Sequence, residues 1–194
     1  MASKQPVIVV IGCPNGAGKS SIAMKVLQSI FDIHEYVNAD SIAVGLAGTP
    51  SDEVAIAAGR VMLARIRELA TAKESFGFES TLASKTFAPW LRECKGRGYK
   101  VHIVYVALAS PELALQRVAA RVAVGGHSIP NDVVVRRFSR SARNFMELYM
   151  PLADAWHIFD NSGNAPVLAA YQMGGLVRVL RSETWNTIFK HAQV

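Results

Sequence analysis

At 194 residues and 21.0 kDa, the chain is long enough for one hydrophobic core and short for two. With 51% apolar and 19% charged residues, 14 Gly and 8 Pro, it is neither a disordered polymer nor a fibrous repeat, and its two cysteines, Cys13 and Cys94, exclude a disulfide framework or a zinc knuckle. The net charge of +6 is local: between Arg117 and Arg143 stand six arginines (117, 121, 136, 137, 140, 143) against one acid, Asp132.

The first element is Pro6 to Gly12, a β-branched run closed by glycine that predicts a strand buried on both faces. Lys19 to Phe31, with Ile22, Met24, Val26, Leu27 and Ile30, predicts a helix. Tyr36 to Asp40 predicts a second strand with Asp40 at its carboxyl end, and Ser41 reads as the N-cap of a short helical turn before Gly45 and Gly48. Thr49-Pro50-Ser51-Asp52 has the shape of a capping box with Pro at N1, opening a helix of five or more turns through Val54, Ala58, Val61, Met62, Ile66 and Leu69. Phe76 to Glu79 predicts a third strand, again ending in a carboxylate, and Ser84 or Thr86 caps a helix reaching Gly96 or Gly98. Val101 to Leu108 is the clearest strand. Ser110-Pro111-Glu112 starts a helix to Val124 that stops at Gly125-Gly126, and Asn131 caps another to about Tyr149. Trp156 to Asp160 is a fifth strand with Asn161 to Asn164 as its turn, followed by a hairpin (167–173, 176–180) and a short helix around Trp185.

Gly12-Cys13-Pro14-Asn15-Gly16-Ala17-Gly18-Lys19-Ser20 lies between the first strand and the first helix. A glycine-rich loop there turns backbone N–H groups and the positive end of a helix toward phosphate; Lys19 would bridge β- and γ-phosphates and the Ser20 hydroxyl would ligate Mg²⁺. The strict G-x-x-x-x-G-K-[ST] pattern is missed by one place, with Cys13 at its first position and glycine at Gly12. A small side chain is tolerable there unless the position needs a positive φ. Cys13, beside a helix N-terminus, could also have a lowered thiol pKa. The alternation of β and α then predicts an α/β, three-layer P-loop NTPase fold of the nucleotide/small-molecule kinase type. It would have a mostly parallel five-stranded sheet, all in a single domain 1–194 with a helical lid at about 117–143 and a C-terminal extension at about 163–194.

Phosphoryl transfer needs an acceptor-side group and positive charge around the moving phosphoryl. Asp40 and Glu79, expected to end strands flanking the phosphate-loop strand, are the acceptor-side candidates, with an N-cap and an internal salt bridge as their plainer readings. Arg117 and Arg121 share one helix face and Arg136, Arg140 and Arg143 another, joined by Gly125-Gly126-His127-Ser128-Ile129-Pro130, which together describe a lid. The plainer reading is a solvated basic face or an RNA contact, and for His127 a loop hydrogen bond. Asp160-Asn161-Ser162 either borders the adenine or is an ordinary turn.

The motifs Pro14 to Ser20, Val37-Asn38-Ala39-Asp40, Glu79-Ser80-Thr81-Leu82, Arg117 to Arg121, Gly125-Gly126-His127 and Arg136-Arg137-Phe138 resemble, in order, those of the zeta-toxin family of P-loop kinases, whose toxin members are UDP-N-acetylglucosamine kinases. The resemblance covers about residues 6–162. It implies that Pro14, Asn15, Gly16, Ala17, Gly18, Lys19, Ser20 and Ser21 bind ATP, with Arg121 and one of Arg136 or Arg137 on its phosphates. Catalysis would rest on Asp40 as base, Lys19 and Arg121; Asp40, Glu79 and Thr81 would hold the acceptor, and Ser20 the Mg²⁺. The toxins carry an Arg a few residues beyond Glu-x-Thr where this chain has Leu82-Ala83-Ser84 and, close by, Lys85.

The expected function is therefore ATP- and Mg²⁺-dependent phosphorylation of a small hydroxyl-bearing acceptor, UDP-N-acetylglucosamine by resemblance, or else a nucleoside, another sugar or a polynucleotide end. The rival is an ATP-binding regulatory protein whose basic lid meets RNA or an acidic partner; only Phe138 stands within the basic stretch, too little aromatic interleaving for a single-strand binder. An antitoxin is the protein partner the family suggests. The longest apolar runs, Pro6 to Ile11 and Val101 to Ala109, are short of the ~20 residues of a spanning helix, and Met1 to Gln5 lead into no signal-peptide core. A mature protein of the cytoplasm, without a membrane contact, is expected.

Overall fold

The computed structural model describes residues 5–47, 51–126 and 128–193, excluding the side chains of Ser20, Ser21, Met24 and Lys25. Seven strands form one sheet: β1 (Val7–Gly12), β2 (Glu35–Val37), β3 (Phe76–Ser80), β4 (Lys100–Ala107), β5 (Ala155–Asp160), β6 (Val167–Met173) and β7 (Leu176–Val179), in the order β2-β3-β1-β4-β5-β6-β7. The first five run parallel and the last two are added antiparallel. The expected hairpin thus continues the sheet, which has seven strands rather than five.

Alternation along the strands sorts the core into two layers. Ile8 and Val10 of β1 face one way with Phe76, Phe78, Val101, Ile103 and Tyr105. They pack under α3 (Asp52–Thr71), α4 (Phe87–Gly96) and, through Ile188, α7 (Ser182–Ala192). Val9 and Ile11 face the other way with Val104 and Val106, under α1 (Lys19–Val26), α5 (Pro111–Ala123) and, through Val134 and Phe138, α6 (Asn131–Asn144). Both faces of β1 and β4 are therefore covered, as their largely apolar runs require.

The first helix ends in a π-helical turn, Leu27–Phe31, and α6 in another, Phe145–Tyr149, so each predicted helix is continuous in sequence but changes its winding in the last turn. Ser110 caps α5 by accepting from the Leu113 N–H at 3.3 Å, as expected. Three other caps differ. The α3 cap is Ser51, whose hydroxyl accepts from Val54 N; Thr49 and Pro50 of the expected box lie outside the described residues. Asn131 is the first helical residue, with Pro130 at the cap position and no side-chain bond. Ser41 lies inside α2 (Ala39–Ala47), which Asn38 caps instead.

Candidate active site

Asp40 does not end a strand. β2 stops at Val37, and the Asn38 Oδ1 accepts from the N–H groups of Asp40 (2.8 Å) and Ser41 (3.4 Å), which turns the chain into α2 and leaves Asp40 in its first turn. β2 is also the sheet's edge, paired only to β3, so the neighbours of β1 are β3 and β4. Glu79 does sit at the end of a strand beside the loop, and only 8% of it is exposed.

The Tyr36 hydroxyl donates to Glu79 Oε1 and receives the Asn38 Nδ2 at 3.5 Å. Burial, and then the Glu79 carboxylate, push the Tyr36 phenol far above its ordinary range, so it remains a donor at neutral pH. One asparagine thus orients both the Asp40 backbone and the phenol that holds Glu79. Neither Tyr36 nor Asn38 stood out in the sequence as a site residue in its own right: Tyr36 acts on Glu79, 43 positions away, and Asn38 is a local cap whose site is visible only once Tyr36 and Glu79 are brought together.

In the phosphate loop, Gly16 and Gly18 adopt φ of +78° and +75°, while Cys13 is absent from the positive-φ residues, so its side chain causes no backbone strain. The residue that has to be small is Gly12, because Leu82 occupies the place its Cβ would take. The Cys13 thiol donates to the Pro14 carbonyl at 2.8 Å, and complete burial pushes it up to about 11 despite Lys19 nearby, the reverse of the lowered pKa expected at a helix start. Lys19 opens α1. Burial alone would lower its ammonium, but Cys13, Glu79 and Asp40 outweigh that and hold it above its ordinary value.

A cavity of about 570 Å³ gathers these groups. Its lining includes Asn15 and Lys19 from the loop, Asn38, Asp40 and Asp52 from the α2–α3 side, Glu79, Ser80 and Thr81 from the end of β3, and Arg121, Ile129 and Arg137. Pro14, Gly16, Ala17, Gly18 and Arg136 do not line it. Arg136 instead reaches Asp132 on the surface at 3.5 Å, and Arg143 donates to the Ala192 carbonyl at 3.1 Å. Arg117 binds the Ser162 and Gly163 carbonyls at 3.3 and 3.4 Å. Of the arginines expected to share faces of a lid, the cavity therefore takes only Arg121, and of the pair Arg136 and Arg137 it takes Arg137. The Ser20 hydroxyl, the Ser21 side chain and His127 lie outside the described residues.

Thr81 is followed by Leu82 at φ +54°, a left-handed conformation unusual for a fully buried leucine. Two side chains from the end of the α6 region fix this turn: Asn144 Nδ2 donates to the Leu82 carbonyl and the Tyr149 hydroxyl to Ser84, both at 2.7 Å. The helix that presents Arg137 thereby also anchors the segment that presents Thr81. Gly126 packs under Arg121, where an added Cβ would lie 2.6 Å from its Cγ, so the glycine after α5 is fitted to the arginine's stem.

A parallel sheet with a phosphate loop between β1 and α1, and helices carrying arginines over its carboxyl edge, defines a P-loop kinase-like fold. The sequence model of the family described as Zeta toxin matches residues 1–171, and the chain belongs to that family. An uncharacterized protein of Haemophilus influenzae (strain ATCC 51907 / DSM 11121 / KW20 / Rd) is 28% identical over 124 residues, 64% of this chain and 86% of that protein. A chain of the AvrRxo1-ORF1:-ORF2 structure with ATP superposes with a TM-score of 0.77 at 20% identity, covering 98% of this chain and 65% of that one. A chain from the PezAT chromosomal toxin-antitoxin system of Streptococcus pneumoniae gives 0.65 at 17% identity, covering 100% of this chain and 88% of that one. At these identities the likeness is one of fold, and the chain spans only about 65% of the AvrRxo1 chain's length. Among the described residues, no helix is long and apolar enough to cross a membrane.

Proposed function

We propose that the protein is an ATP-dependent kinase that transfers the γ-phosphate to a hydroxyl of a small acceptor, with UDP-N-acetylglucosamine the first acceptor to test. The observation that carries this reading is the shared cavity, which Lys19 at the start of α1, the carboxylates of Asp40 and Glu79, and Arg121 and Arg137 line together. Family membership supports it, as does the likeness to a fold solved with ATP.

In this reading the loop from Pro14 to Ser21 holds the triphosphate, and Lys19, Arg121 and Arg137 offset the negative charge that spreads over the phosphoryl oxygens. Asp40 orients the acceptor hydroxyl and takes its proton, and Glu79, kept in place by Tyr36, holds the acceptor with Thr81. The described residues gather no three His, Cys, Asp or Glu into a metal cage. A hydroxyl at position 20, which the sequence supplies as Ser20, suits a hard ion such as Mg²⁺ that takes its other oxygens from phosphate and water. Bound there, the ion would neutralise charge between the β- and γ-phosphates.

Likeness to PezAT makes an antitoxin protein the partner to seek, and two free, buried cysteines suit a reducing cytoplasm. The experiment is phosphoryl transfer from ATP to a panel of hydroxyl acceptors, with Asp40→Asn beside the wild type. Loss of roughly 100-fold or more in kcat with ATP affinity retained is expected for a proton acceptor. Wild-type turnover in Asp40→Asn would remove Asp40 from the chemistry.

A further inference from the structure

The turn after β5 does more than close a strand. Asn161 Nδ2 donates to the Ala17 carbonyl at 2.8 Å, across 144 positions of sequence, and the same nitrogen stands 2.7 Å from where a Cβ on Gly18 would be. On the other flank, the Ala114 carbonyl of α5 stands 2.7 Å from a Cβ built on Gly16. The two left-handed glycines are thus pressed between a helix backbone and a single amide.

That amide is itself fixed. The Asp160 carboxylate accepts from the Ser162 N–H at 2.8 Å and from the Ser162 and Thr184 hydroxyls at 2.6 Å each. Ser162 Oγ accepts from Ala109 N at 2.8 Å, and Arg117 binds the next two carbonyls. The Asn161 N–H also donates to the Ala107 carbonyl at 3.0 Å, so the turn is tied to β4, α5 and α7 while it reaches for the phosphate loop.

In a planar trans peptide, C=O and N–H point in opposite directions, so pinning the Ala17 oxygen toward Asn161 turns the Gly18 N–H the other way. We propose that Asn161 is a positioning residue of the nucleotide site: it fixes the Ala17–Gly18 peptide so that the loop's N–H groups face the phosphates, and the C-terminal helix α7 braces it through Thr184 and Asp160. This rests on the reading that the loop binds ATP. It gives the expected Asp160-Asn161-Ser162 turn a role at the phosphate loop rather than at the base.

The test is ATP titration of the full chain by calorimetry, with Lys19→Ala, Asn161→Asp and Asn161→Ala, alongside thermal melts without nucleotide. Asn161→Asp keeps the size but cannot donate. The expected result is ATP affinity weaker by roughly ten-fold or more in both Asn161 variants, near the upper end of what one lost hydrogen bond costs. Melting of the unliganded protein should change little, and KM for the acceptor should be unchanged; a merely structural role would lower the melting temperature and leave affinity intact. Wild-type affinity in both variants, while Lys19→Ala loses binding, overturns the positioning role alone. No ATP binding by the wild type would overturn the nucleotide reading and this inference with it.

Discussion

A cysteine at the head of a phosphate loop behaves according to its surroundings rather than its neighbourhood in sequence. Proximity to a helix N-terminus suggests a reactive thiolate, but Cys13 is fully buried and spends its proton on the Pro14 carbonyl, and desolvation outweighs the nearby lysine. Cys94 is buried too, and burial likewise raises its thiol. Neither should react with an iodoacetamide-type reagent at pH 8 in the folded protein, and both should react on unfolding; rapid labelling of Cys13 in the native state would show the loop to be open. Sequence could rank Lys19, Asp40 and Glu79 as candidates because their residue types suit phosphoryl transfer. It could not see that Tyr36 holds Glu79, a contact across 43 positions that only the folded chain defines; the Asn38 cap of α2 was a local signal that the choice of Ser41 as cap passed over.

Most elements were legible because glycine, proline and capping residues punctuate the chain, as Ser110-Pro111 and Gly125-Gly126 show around α5. What was not legible came from contacts between elements, such as the π-helical ends of two helices and the left-handed Leu82 held by Asn144. A similar inter-element contact ties α4 to the strands. Asp154, just before β5, accepts from the Val101 N–H at 2.9 Å and pairs with Lys95 (3.2 Å) and Lys100 (3.3 Å). Burial would raise its carboxyl, but that N–H and the two lysines together hold it below the ordinary carboxylate value. A depressed folded pKa stabilises the protein at pH above the unfolded value and loses that contribution as pH falls through the folded one. Asp154→Asn should therefore cost about 1 kcal/mol at pH 7, and its deficit against the wild type should shrink in denaturant titrations below about pH 4. A deficit that stayed constant across that range would show that charge plays no part in the clasp.

Across the whole molecule, the order of strands decides which residues meet. The parallel α/β plan follows from alternation alone, but β2 at the edge, β3 and β4 beside β1, and the hairpin extending the sheet past β5 are long-range choices that no local pattern encodes. They bring the loop, the two carboxylates and Arg121 of α5 and Arg137 of α6 around one cavity, and they set the post-β5 turn against the loop. The cavity is the basis of the proposed kinase, so its phosphate end is the place to test it. The most direct measurement is transfer of labelled γ-phosphate from ATP with Mg²⁺ in a single turnover, over the acceptor panel, comparing wild type with Lys19→Ala. Acceptor-dependent transfer by the wild type, reduced by a factor of roughly 100 or more when the lysine charge is removed, is the predicted result. Transfer that survives Lys19→Ala, or no transfer to any acceptor by a wild type that binds ATP, would contradict it.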